Sequence, residues 1–125
     1  MIAKKVNERQ WKPVQVTRGG PWISHLLFAD NILLFTSAKC SQVRIINKVV
    51  NDFCSASGLK VNLDKSRIMV SKNVSRGKKE KFSRLSSIKV AGDLRKYLGF
   101  PLIQGRVKRA HFNFIINKIK GRLAN

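Results

Sequence analysis

The side chains that dominate this sequence are those that neutralise phosphate. Lys and Arg number 26 against six Asp and Glu, a formal charge of +20. Such an excess repels itself and calls for a polyanionic partner. A solvated surface usually mixes both signs, and this one does not. Nucleic acid is the partner class this implies, with a merely solvated basic face as the competing reading. Twelve Lys or Arg lie between Lys60 and Lys96, against Asp64, Glu80 and Asp93. The candidate phosphate contacts are Lys60, Lys78, Lys79, Lys81, Arg84 and Lys96. Phe82 is the one clear aromatic there before Tyr97, which argues against a reader that stacks on bases.

Asp30 is the second chemical feature. It is the only acidic residue between Glu8 and Asp52, and apolar runs flank it on both sides. Taken alone, it reads as an exposed hairpin-turn aspartate. Other chemistries find little support. Cys40 and Cys54 form no paired-cysteine motif, and His25 and His111 lie far from them, so a zinc site is not expected. No apolar run approaches the roughly 20 residues of a membrane span. No secretory signal opens the chain, so the expectation is an intracellular protein, nuclear or cytoplasmic and not secreted, with reduced cysteines.

Positioning these groups falls to a small set of elements. Hydrophobic residues make up 43% of the 125, enough for one small packed domain. Residues 1–13 are basic and weakly patterned, and read as an extended lead-in. Thr17-Arg18-Gly19-Gly20-Pro21 is a turn cluster. Residues 23–28 and 32–36 read as strands, so Ala29, Asp30 and Asn31 fall at a hairpin tip. Ser41 is a candidate N-cap for a helix over residues 42–57. Val43, Ile46, Val50 and Phe53, widened by Val49 and Cys54, form its apolar stripe, expected to pack on a sheet. Gly58 should stop that helix.

Residues 59–63 alternate like a half-buried strand, and residues 67–70 suggest another. Residues 71–77 read as a polar loop. A short helix over 78–86 would turn Phe82 and Leu85 inward. Residues 96–103 look strand-like around Gly99 and Pro101. From Ala110, the positions of Phe112, Ile115, Ile116, Ile119 and Leu123 describe a second amphipathic helix. The expected class is α+β: a small antiparallel sheet packed by amphipathic helices.

One run of residues carries a family likeness. Ile23-Ser24-His25-Leu26-Leu27-Phe28-Ala29-Asp30-Asn31-Ile32-Leu33-Leu34-Phe35 resembles the catalytic hairpin of non-LTR (LINE-type) retrotransposon reverse transcriptases, the plant ones most of all. Asp52-Phe53-Cys54-Ser55-Ala56-Ser57-Gly58-Leu59-Lys60-Val61-Asn62, with Lys65-Ser66, is similar to the next family block. Lys96-Tyr97-Leu98-Gly99-Phe100-Pro101-Leu102 resembles the primer-grip block. Trp11-Lys12-Pro13 and Gly19-Gly20-Pro21 also fit, upstream and in order.

The resemblance implies a fold, an activity and roles. Residues 1–20 would be a basic lead-in. Residues 21–105 would be part of a polymerase palm with its primer-grip-like turn. Residues 106–125 would be a C-terminal helix that begins a thumb. The family copies RNA into DNA with two divalent metals, Mg²⁺ or Mn²⁺. Asp30 would be the metal-binding aspartate. Asn31 stands where the family has a second aspartate. An amide keeps the shape without the charge, so weakened metal binding is expected. Lys65 could neutralise or protonate the leaving pyrophosphate. Tyr97, Leu98, Gly99 and Phe100 would approach the primer backbone, helped by the small Gly99. The implied partners are an RNA template and a DNA primer, with no membrane.

The family also needs a metal-binding aspartate from an earlier block. Before Asp30 there is only Glu8, in a context unlike that block. This chain alone is therefore not expected to polymerise. A non-catalytic nucleic-acid-binding module and a functionless transposon remnant remain the alternatives. Apolar hairpin strands with unpaired edges should also make the isolated chain prone to aggregate.

Overall fold

Gly58 ends the longest helix among the described residues, as its residue type predicts. In the computed structural model, which describes residues 1–91 and 109–124, helix α2 spans Cys40–Ser57 and Gly58 caps it with φ of 75°. The Gly58 N–H donates to the Cys54 carbonyl at 2.9 Å. A left-handed cap of this kind suits glycine because it lacks a Cβ. At the other end the N-cap is Lys39, with no side-chain hydrogen bond, and Ser41 lies inside the first turn.

Two compact units divide the chain after Ala91. The first begins with helix α1, Ile2–Asn7. The extended lead-in expected there is thus partly helical. Strand β1, Val14–Gln15, pairs antiparallel with β2, Trp22–Ile23. The intervening turn is closed by the Gly20 N–H donating to Thr17 O at 2.9 Å, with Gly19 at φ of 78°. Strand β3, His25–Phe28, then pairs antiparallel with β4, Asn31–Leu34. Beyond α2 come β5, Ile68–Met69, helix α3, Arg76–Ser86, and β6, Val90–Ala91.

Among the described residues, three separate two-stranded ribbons replace the single antiparallel sheet expected from the sequence. The third, β5 with β6, is parallel. The physical reason is the crossover. Parallel neighbours need a long connection, and α3 supplies it. The fold is α+β at this level. The anticipated strand over residues 59–63 is absent. Leu59, Val61 and Leu63 are all exposed. Asn62 competes for the backbone instead. Its Oδ1 accepts from the Lys65 N–H at 3.1 Å, and its carbonyl accepts from Ser66 N at 3.0 Å.

Helix α2 packs on α3 and not chiefly on a sheet. The Asn47 amide donates to Leu85 O at 2.6 Å across that contact. Helix α3 starts two residues before the expected position because Ser75 caps it, accepting from Lys78 N. Phe82 is 1% exposed, as its place on the inward face requires. Among the described residues the buried apolar side chains are Trp11, Val49 and Phe82. Phe53, read as core, is half exposed.

Within the second unit, a 3-10 turn at Arg109–Phe112 leads into helix α4, Asn113–Leu123. This agrees with the helix expected from Ala110 onward. Ile116, Ile119 and Leu123 of its apolar stripe are exposed. The strand-like reading of residues 96–103 lies outside the described residues. Among the described residues, no helix is long and apolar enough to cross a membrane.

Candidate functional site

The hairpin that carries Asp30 is tighter than expected. Phe28 pairs with Asn31, so the loop holds two residues, Ala29 and Asp30. Asn31 is the first residue of β4, not part of the tip. Ala29 takes φ of 51°. Two-residue loops need a positive φ at the first position, which glycine normally supplies. An alanine there costs roughly 1 kcal/mol or more. Asp30 follows it and is exposed to solvent. It forms no ion pair among the described residues.

The strands behind the tip are held in register by four pairs, from His25 with Leu34 to Phe28 with Asn31. The Phe35 N–H donates to Ser24 O at 2.8 Å and closes the base. Ser24 interrupts the long strand expected over residues 23–28, so Ile23 belongs to a different ribbon. Leu27 opposes Ile32 on one face, and Leu26 opposes Leu33 on the other. Leu27 is 65% exposed, and Leu26 and Ile32 are close to half. A ribbon apolar on both faces cannot bury both by itself.

A polar clasp at the root of β4 anchors this hairpin. The Trp11 indole N–H donates to the Phe35 carbonyl at 2.9 Å, and Trp11 is 1% exposed. Gln42, on the first turn of α2, is 4% exposed. Its Oε1 accepts from Lys12 N at 2.9 Å and from Thr36 Oγ1 at 2.7 Å. Its Nε2 donates to Gln10 O at 2.9 Å. The Thr36 hydroxyl hydrogen is shared between Gln42 Oε1 and Lys12 O, the latter at 2.9 Å. Sequence reasoning passed over this cluster. The signal was present: Gln42, Ile46, Val49 and Phe53 share one stripe, and an amide in an apolar stripe needs partners.

The cationic candidates divide. Lys60 and Lys65 are exposed in the irregular segment after α2. The four on α3 do not form one face. Lys81 and Arg84 are exposed, whereas Lys79 is half-buried and lines a groove against β6. That open groove, about 380 Å³, is lined by Arg76, Lys79, Glu80, Ser83, Lys89 and Val90. Arg76 Nε pairs there with Glu80 at 3.2 Å. Lys89, which the sequence reading did not single out, thus joins Lys79. Lys96, Tyr97, Leu98, Gly99 and Phe100 lie outside the described residues.

Whether these residues could hold two divalent ions is a question of donors. Mg²⁺ takes carboxylate oxygens together with substrate phosphates. Two adjacent cations repel and need more than one carboxylate between them. Glu8, just past the end of α1, and Asp52 and Glu80, within α2 and α3, each pair with a cation four residues earlier. Among the described residues, no three His, Cys, Asp or Glu side chains cluster in a way that could hold a metal. Asp30 and the neutral Asn31 amide together offer a metal one carboxylate. Compared with known proteins, the chain matches no family model, no curated protein and no solved structure.

Proposed function

We propose that this chain is a segment of a template-directed polymerase palm. Its hairpin presents a carboxylate at the reacting end of a primer, and its α3 region faces phosphates. More particularly, it is a segment of a LINE-type reverse transcriptase, whose partners are an RNA template and a DNA primer. The observation that carries the reading is Asp30: a lone, exposed carboxylate at a two-residue tip between apolar strands, beside a strained Ala29. Backbone strain of this kind gathers at functional sites, and an ordinary turn would use glycine at Ala29. The charge of +20 supports a polyanionic partner independently.

The reading assigns one half of a metal cradle to Asp30 and none to Asn31. Mg²⁺ or Mn²⁺ would supply the charge stabilisation of nucleotidyl transfer in the assembled family site. What these residues contribute is narrower. The ladder holds the tip, and the tip holds the carboxylate clear of the strands. Lys65 neutralises the leaving pyrophosphate, and the basic residues of α3 neutralise backbone phosphate. A non-catalytic nucleic-acid-binding module is the second reading, favoured by the same charge and by the uncharged Asn31 beside Asp30.

Photo-crosslinking separates the two. A primer carrying a photoreactive 3′-terminal nucleotide, annealed to an RNA template, should crosslink to residues 25–34. Primer extension by the same chain with Mg²⁺ or Mn²⁺ should give no product. Crosslinks confined to α3 and the 60–65 segment, with the hairpin unlabelled, would overturn the palm reading and leave the basic module.

A further inference from the structure

The clasp around Gln42 ties residues 10–12 to two neighbouring segments that lie 24 to 32 residues further along the chain. It links residues 10–12, the root of β4 at Phe35 and Thr36, and the first turn of α2. Gln42 is the only buried polar side chain among the described residues. Oε1 takes two hydrogen bonds, and Nε2 gives one of its two hydrogens to a carbonyl. A satisfied buried polar network fixes geometry, because any shift leaves a desolvated group unpaired. The hairpin has few other restraints. Leu26, Leu27 and Ile32 are about half exposed or more, and among the described residues β3 and β4 pair only with each other.

We infer that residues 10–12 act as a strap that sets the direction of the Asp30 hairpin, with Gln42 and Thr36 as positioning residues at its pivot. The strap grips just beyond β4, two residues from the strand end, through the Phe35 carbonyl and the Thr36 hydroxyl. Loss of the grip frees the root, and the lever of four cross-strand pairs carries that freedom to the tip. A bound primer end would then meet an unaligned carboxylate. That last consequence rests on the proposed palm reading. The strap itself does not.

Amide hydrogen exchange of the full chain, followed by mass spectrometry at low micromolar concentration, tests it without metal or nucleic acid. Peptides covering residues 22–36 are compared with peptides covering α2 and α3. Thr36→Val keeps the shape and removes the hydroxyl, and should speed exchange in residues 22–36 at least about fivefold. Gln42→Leu should do the same. Thr36→Ser restores the donor and should return exchange to the wild-type rate. The C-terminal half of α2 and all of α3 should not change in any variant. Unchanged exchange in residues 22–36, or a uniform rise across α3 as well, would overturn the strap. Should the strap behave as stated while primer crosslinks avoid the hairpin, positioning stands and the palm reading falls.

Discussion

Trp11→Ala should strip exchange protection from β3, β4 and the start of α2 by roughly two to three powers of ten. Trp11 is 1% exposed and is one of the two largest fully buried side chains among the described residues. Truncating a buried aromatic to alanine costs about 3–5 kcal/mol. The indole also donates to the half-buried Phe35 carbonyl, which would lose that partner. With Val49 and Phe82 as the other buried apolar side chains described, little remains to absorb the loss. Trp22→Ala is the matched control. Trp22 is 67% exposed, so its removal should change stability by less than about 0.5 kcal/mol. Hydrogen exchange reads both variants. Equal effects from the two tryptophans would show that the hairpin root is not anchored at Trp11.

Affinity for a primer–template should fall several hundred-fold between 50 and 200 mM salt, taking roughly five phosphate contacts. The estimate follows from counterion release, with a slope near −0.9 per phosphate on a log–log plot. Candidates for those contacts lie on two sides of α3. Lys81 and Arg84 are on its exposed side, and Lys79 with Lys89 borders the groove against β6. Replacing either pair with glutamine should weaken binding on every sequence and reduce the slope by about two, one for each contact removed. Lys48→Gln should leave it unchanged, because Lys48 already pairs with Asp52 at 3.1 Å on α2. Fluorescence anisotropy across a salt series measures these slopes. A slope shallower than about −2 in the unaltered chain would mean that its charge is simply solvated.

Local signals in the sequence translated well into structure. Helix α2 was legible because its apolar spacing and its glycine stop act within one turn of the backbone. The hairpin was legible as two apolar runs separated by Ala29, Asp30 and Asn31, but its register was not, since Asn31 pairs with Phe28 and leaves a loop of two residues. The helix from Asn113 followed from its stripe of isoleucines. What escaped depends on distant partners. Residues 1–13 look featureless until Trp11 meets Phe35 and Lys12 meets Gln42. The alternation of residues 59–63 promised a strand, yet a strand needs a neighbour, and Asn62 turned the chain instead. The parallel pairing of β5 with β6 could not be read from two residues at each position. At the site itself, the tip aspartate was visible in sequence. The strain at Ala29 and the split of the α3 cations were not, since both are matters of geometry.

The claim beneath all of this is that Asp30 serves as a metal-bearing carboxylate. Transplanting residues 23–35 in place of the corresponding hairpin of an active LINE-type reverse transcriptase puts that carboxylate to work. Primer extension by the chimera should be slowed but template-dependent. Asn31→Asp in the transplanted segment should restore it, and Asp30→Asn should reduce it at least about a hundredfold. A chimera indifferent to the residue at position 30 would contradict the account outright.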